Sequence, residues 1–266
     1  MTSPRLWLVG CGNMAGAMLR RWIEAGVVTG DAVDVVNRSD RALPPGVRQA
    51  RTLPDGPLPD IVMLGMKPQQ LDDVAATHAG RIAGVPVLVS ILAGVEEPAL
   101  AARFQAGAIV RAMPNLPVAI GKGVVALSSD SADHDSRRAV EALMAPLGLV
   151  EWIDEARLFD SVTALAGCGP GFVYRFIDAL AGAGVALGLP ADQAARLALA
   201  TVEGSALLAA AADVGPAVLA DRVASPGGST RAGLNVLDRE DGLAALLRET
   251  LAASERRNAE MAAAAR

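Results

Sequence analysis

Apolar residues follow two different rhythms along this chain, and the change comes near residue 154. Before it, short apolar runs at 5–9, 32–36, 61–65, 85–91, 108–113 and 123–127 read as strands. Residues 17–25, 68–78 and 96–104 carry apolar positions at helical spacing and predict helices between those runs. The first strand, helix and strand form a βαβ unit, and continuous apolar strands alternating with helices indicate a parallel sheet covered on both faces. Beyond residue 154 no strand pattern remains. Helical stretches are broken instead at Gly167-Cys168-Gly169-Pro170, Gly188-Leu189-Pro190, Gly215-Pro216 and Ser225-Pro226-Gly227-Gly228. The prediction is an α/β fold, a Rossmann-like domain with a mainly parallel sheet over residues 1–154, followed by an all-α dimerisation and substrate-binding domain over 155–266.

Residues 172–187 and 191–212 are rich in Ala, Leu and Gly on almost every side, the mark of helices buried all round. A domain of that size cannot bury them by itself, so they are expected to interlock with a second copy of the chain. Composition agrees, with 52% hydrophobic residues before its 27 glycines are added. The longest uncharged runs, 82–95 and 161–174, fall short of the roughly 18 residues a membrane span needs, which argues for a buried interface instead. A net charge of −5 gives no electrostatic reason to expect nucleic acid. No targeting segment is visible, so a cytoplasmic location is expected.

Gly10-x-Gly12-x-x-Ala15 at the first strand–helix junction fits a dinucleotide fingerprint. Gly10 permits the tight turn, Gly12 lets a pyrophosphate approach the backbone, and the small Ala15 allows close helix packing. Asn13 and Met14 lie where a helix start offers unpaired N–H groups. The second strand ends in Asn37-Arg38-Ser39 instead of the acidic residue usual for NAD. Arg38 and Ser39 suit a 2′-phosphate, so NADPH is favoured and NADH remains open. Met66-Lys67-Pro68 follows the third strand at the sheet's carboxyl end, and Lys67 is one of only two lysines, with Lys122. Asn115, in a proline-bracketed loop, either orients the nicotinamide or the substrate rim or belongs to a stiff connector.

In the second half, Ser225-Pro226-Gly227-Gly228-Ser229-Thr230 precedes a helix predicted from Arg231. Such a loop either presents hydroxyls and the N–H groups of Gly228, Ser229 and Thr230 to a carboxylate, or simply joins two helices with Thr230 as N-cap. His78 and His134 both sit in polar, surface-like contexts, and no Cys/His/carboxylate cluster suggests a metal. Reduction by hydride needs neither if the substrate already carries its proton, as an iminium would.

Four ordered blocks resemble the pyrroline-5-carboxylate reductase family over nearly the whole chain. They are Gly10-Cys11-Gly12-Asn13-Met14-Ala15, Met66-Lys67-Pro68-Gln69, Arg111-Ala112-Met113-Pro114-Asn115, and the stretch from Asp221 through Ser225-Pro226-Gly227-Gly228-Ser229-Thr230 to Leu234. The resemblance implies reduction of 1-pyrroline-5-carboxylate to proline by NAD(P)H, in a homodimer or larger homo-oligomer. The residue reading and the resemblance together give an expected cofactor set of Gly10, Gly12, Asn13, Met14, Ala15, Asn37, Arg38, Ser39, Met66, Lys67, Pro68, Ala93 and Asn115. The implied substrate set is Ser225, Gly227, Gly228, Ser229 and Thr230, with the Thr230 hydroxyl on the ring nitrogen as catalytic contact, and no metal. Ala166, Cys168, Phe172 and Leu116 depart from the family pattern and lose hydroxyls, leaving open a related cyclic imine or a catalytically silent dinucleotide-binding regulator.

Overall fold

The computed structural model describes residues 3–264. Eight strands form one sheet, β1 (Leu6–Val9), β2 (Val33–Val36), β3 (Arg48–Ala50), β4 (Ile61–Leu64), β5 (Val85–Ser90), β6 (Ala106–Pro114), β7 (Gly123–Ser128) and β8 (Gly148–Trp152), in the order β3-β2-β1-β4-β5-β6-β7-β8. All neighbours are parallel except β6 and β7, which the turn at Leu116–Ile120 joins as an antiparallel pair. Strand order reverses between β1 and β4, so the crevice at their carboxyl ends is the expected ligand position.

Both faces of the sheet are covered, which is why its central strands are apolar at every position. Leu6 and Leu8 point to one core with Met18, Leu19 and Trp22 of α1 (Asn13–Glu24), while Trp7 and Val9 point to the other. That second core holds Leu71 and Ile82 of α2 (Leu71–Ile82), Leu100 of α3 (Glu97–Ala101), and Phe104.

Several boundaries differ from the sequence expectation. Helix α1 starts at Asn13, four residues before the predicted 17, because the fingerprint itself supplies the first helical turn. β3 and β8 were not predicted; β3 is three residues long and none of them is buried, and β8 is only half-buried, so neither carries an apolar signal. Helix α4 (His134–Met144) was also missed, although Asp133 caps it by accepting from the Ser136 N–H at 2.8 Å.

The chain divides into two compact units, residues 1–168 with 254–266, and residues 169–253. The division falls beyond the expected 154/155 boundary, because α5 (Phe159–Val162) and a π-helical turn (Thr163–Gly167) stay with the sheet. Arg111 of β6 is buried over the Phe159 ring, its guanidinium 4.2 Å from the ring centroid, and burial lowers its pKa. The second unit contains α6 (Gly169–Ala186), all but the start of which lies in the predicted 172–187 segment, α7 (Ala191–Ala211), α8 (Pro216–Arg222), α9 (Ser229–Leu237) and the first part of α10 (Leu243–Ala264).

Candidate functional site

The glycine turn joins β1 to α1 with a geometry that only these residues permit. Gly10 has φ +86°, and a Cβ there would lie 2.6 Å from the backbone nitrogen of Met66. Gly65 is equally confined, since its Cβ would lie 2.5 Å from the Gly10 carbonyl oxygen and 3.0 Å from the Ala15 Cβ. The Ala15 side chain therefore contributes by being small and buried beside β4. Gly12 differs from both: a Cβ there would meet nothing within 4 Å, so the turn leaves open space above its N-cap.

That space belongs to a cavity of about 790 Å³ at the carboxyl ends of β1, β2 and β4. The first bond of α1 runs from the Gly16 N–H to the Gly12 carbonyl at 2.8 Å, leaving the N–H groups of Asn13, Met14 and Ala15 ahead of any intrahelical acceptor, and no side chain caps them. Free N–H groups, a positive helix end and room for a phosphate fit a dinucleotide pyrophosphate. The Cys11 N–H is not part of this seat, because it donates to Asn37 Oδ1 at 2.8 Å. Asn37 is buried, and its amide also donates to Gln49 Oε1 at 2.8 Å, so it braces the turn against β3. Burial pushes the Cys11 thiol pKa up.

Arg38, Ser39, Met66 and Lys67 line the same cavity as Gly10, Gly12, Asn13, Met14 and Asn37. Arg41 and Arg51 line it too, and the sequence reading missed both. Their signal was a cluster of arginines around an unrecognised strand. Arg51 holds the end of β2 by donating to the Asn37 carbonyl at 3.0 Å and to Asp40 at 2.8 Å. Lys67 is exposed, and no carboxylate among the described residues pairs with its ammonium.

Pro68, Ala93 and Asn115 do not line the cavity. Pro68 opens the short turn before α2, and Ala93 is exposed past the end of β5. Asn115 is buried, accepting from the Val124 N–H at 2.8 Å and donating to the Ala166 carbonyl at 2.9 Å. The second bond has a covalent cause. The residue four positions after Ala166 is Pro170, which has no N–H to give, so Asn115 supplies the missing donor. His78 is a correction: instead of a surface-like context it is 8% exposed, lines the cavity, and has its pKa lowered by burial, which favours the neutral ring.

The 225–230 loop lies in the helical unit. The Gly228 N–H donates to the Ser225 carbonyl at 3.0 Å across Pro226 and Gly227, and Gly227 has φ +73°, the signature of a type II turn. Helix α9 then begins at Ser229, two residues before the predicted start, with Gly228 as its N-cap. Thr230 is therefore inside the first turn and is not the cap. Because the Gly228 N–H is consumed by the turn, the available donors are those of Ser229, Thr230 and Arg231, ahead of the first intrahelical bond from Ala232 to Gly228 at 3.1 Å. Ser229 and Thr230 are exposed, and Arg231 pairs with Asp221 at 2.6 Å. The loop can thus receive a carboxylate on backbone donors with a hydroxyl beside it.

Among the departures from the family pattern, the Cys168 thiol accepts from the Ser254 hydroxyl at 3.2 Å, and Leu116 is largely exposed.

Residues 156–261 match the sequence model of pyrroline-5-carboxylate reductase dimerisation, and residues 5–94 match that of an NADP oxidoreductase described as coenzyme F420-dependent. A pyrroline-5-carboxylate reductase from Synechocystis is 36% identical, the match covering 97% of this chain and 98% of the relative. The structure of a pyrroline-5-carboxylate reductase from Coxiella burnetii superimposes with a TM-score of 0.88 at 28% identity, covering 98% of this chain and 99% of that one. A Plasmodium falciparum pyrroline carboxylate reductase solved with NADP bound shares the fold, with a TM-score of 0.85 at 24% identity over 98% of this chain and 99% of that one.

Proposed function

Because the chain belongs to the pyrroline-5-carboxylate reductase family, we propose that it reduces 1-pyrroline-5-carboxylate to L-proline, the last step of proline biosynthesis, with NADPH as the hydride donor. The observation that supports this most directly is the 225–230 loop, whose matching block opens α9 with free N–H groups beside the Thr230 hydroxyl.

When bound, NADPH supplies a hydride from its nicotinamide C4 to the imine carbon. The chain's own contribution is binding and orientation. The Asn13–Ala15 N–H groups receive the pyrophosphate, while Arg38 and Ser39, joined by Arg41 and Arg51, receive the 2′-phosphate. Lys67 adds a positive charge to the cavity wall. The Ser229, Thr230 and Arg231 N–H groups hold the substrate carboxylate, and the Thr230 hydroxyl accepts from the iminium N–H and then donates to the product amine. No acid–base histidine is required, since the substrate arrives protonated. Asn115 acts through the backbone it braces and not by touching the cofactor.

Dimerisation belongs to the helical region from residue 155 onward, with helices from about 159 to 212 interlocking between copies. Helix α7 is long and apolar enough to cross a membrane by length and composition, but it carries Asp192, Arg196 and Glu203 and lies within the matched dimerisation region. A homo-oligomeric interface accounts for its exposed apolar residues.

The hydroxyls absent at Ala166, Cys168 and Phe172 support a second reading, reduction of a related cyclic imine. Following NADPH oxidation with pyrroline and piperideine carboxylates separates the two. Faster turnover of the five-membered ring is expected; preference for the six-membered ring selects the second reading. Cofactor binding without turnover of either ring would replace both with a silent dinucleotide-binding regulator.

A further inference from the structure

The absence of an acidic residue at the end of β2 does not leave the cavity without a carboxylate. Asp73, in the first turn of α2, faces the cavity from another wall and is, among the described residues, the only carboxylate that lines it. Its Oδ2 lies 3.2 Å from Arg38 Nη2, and both side chains are largely exposed. Asn37, at the position where an acid ordinarily meets the ribose hydroxyls, is spent on the Cys11 N–H and Gln49. The carboxylate beside Arg38 that is exposed enough to change partners is therefore Asp73.

We propose that Asp73 is a cofactor-specificity residue, supplying from α2 the ribose acceptor that β2 lacks. With NADH, its carboxylate accepts from a ribose hydroxyl. With NADPH, the 2′-phosphate takes Arg38 from Asp73 and is repelled by the carboxylate nearby. An exposed ion pair is weak enough to be exchanged in this way. Asp73 thus keeps NADH usable and moderates a preference for NADPH that Arg38 creates. This rests on the dinucleotide reading of the cavity.

Asp72 provides an internal control, since it is in the same helical turn but pairs with Arg103 at 2.6 Å and does not line the cavity. Dissociation constants for NADPH and NADH are measured by fluorescence titration on the full chain and on Asp73→Asn and Asp72→Asn. Asp73→Asn is expected to weaken NADH about fivefold and tighten NADPH about threefold, with Asp72→Asn leaving the ratio within about twofold of wild type. Equal shifts for both cofactors, no shift, or the same ratio change in Asp72→Asn would overturn the proposal and leave the Arg38–Asp73 contact as a surface ion pair only. Failure of the wild-type chain to bind either dinucleotide would overturn the cavity reading itself, and this inference with it.

Discussion

The sheet unit and the helical unit solve burial in opposite ways. Around the sheet, Leu6, Leu8, Met18, Leu19, Trp22, Val62, Leu64 and Leu88 are essentially inaccessible, and two cores close over its faces. Over residues 169–253 the only buried residues are Ala194, Ala198 and Ala224, three small side chains, while Phe176, Leu180, Leu187 and Leu208 are exposed. A stripe that is apolar but uncovered in one copy needs cover from another. Strand burial is thus completed within one chain, whereas helix burial is a property of the assembly.

The largest way to break this comparison is to charge the uncovered helix. Phe176 and Leu180 are one turn apart on α6, 45% and 40% exposed. In a symmetric dimer each occurs twice, and since full burial of such a side chain is worth about 1.5–3 kcal/mol while only two fifths of each is left to cover, the double Phe176→Asp, Leu180→Asp substitution removes roughly 2.5–5 kcal/mol of apolar burial from the interface and adds the cost of burying four carboxylates. Light scattering is expected to find a dimer or larger species for the wild type and loss of that species for the variant, together with loss of turnover. The isolated glycine-turn chemistry should survive, read as retained NADPH binding. An active, stable wild-type monomer at micromolar concentration would show that the exposed stripe needs no partner.

How far each region was legible follows from the same difference. The central strands could be read because burial on both faces makes every position apolar, as at Leu6–Val9 and Ile61–Leu64. β3, with Arg48-Gln49-Ala50, shows no such run, and missing it also hid the arginine cluster of Arg41 and Arg51. In the helical half, Ala- and Leu-rich periodicity marked the long helices, yet helix starts were placed late at both Gly12 and Gly228. In each case a glycine N-cap without a capping side chain left no Ser, Thr, Asp or Asn signal at the true boundary. The involvement of His78 and Asp73 depends on which side of α2 faces the cavity, a tertiary relation that neighbouring polar residues conceal. The Asn115–Ala166 bond was hidden similarly, although Pro170 carried its cause in plain view.

A second test separates self-contained backbone constraint from space kept for a ligand, using two glycines of the same turn. Gly10→Ala forces an L side chain to φ +86° and into the Met66 backbone, costing about 2–4 kcal/mol. Gly12→Ala meets no protein atom and keeps an allowed φ of −76°, so it should cost only the roughly 0.5–1 kcal/mol by which Ala is a poorer N-cap than Gly, clearly less than Gly10→Ala. The added methyl would nevertheless obstruct the phosphate, weakening NADPH by about tenfold or more. Thermal melting and cofactor titration on both variants check the contrast; equal destabilisation would mean that the opening above Gly12 has a structural role.

Thr230→Ala then sharpens the comparison from the helical side, where the proposed substrate contact lies on an exposed turn instead of a closed core. Thr230 is exposed, is not the N-cap of α9, and has a backbone N–H that the substitution preserves. On the proposed role, losing the hydroxyl removes the contact to the ring nitrogen while keeping the proposed carboxylate seat, so kcat/KM should fall about 10- to 100-fold, or roughly 1.5–3 kcal/mol. Melting temperature, oligomeric state and NADPH affinity should remain near wild type, because the cofactor cavity and the α9 cap are both left intact. Thr230→Ser restores the hydroxyl without the methyl and should recover most of the activity. If Ala and Ser variants turn over equally well, Thr230 has no role at the reacting nitrogen; if Ala lowers stability and activity together while Ser restores both, the residue supports the turn and the chemistry belongs to another group.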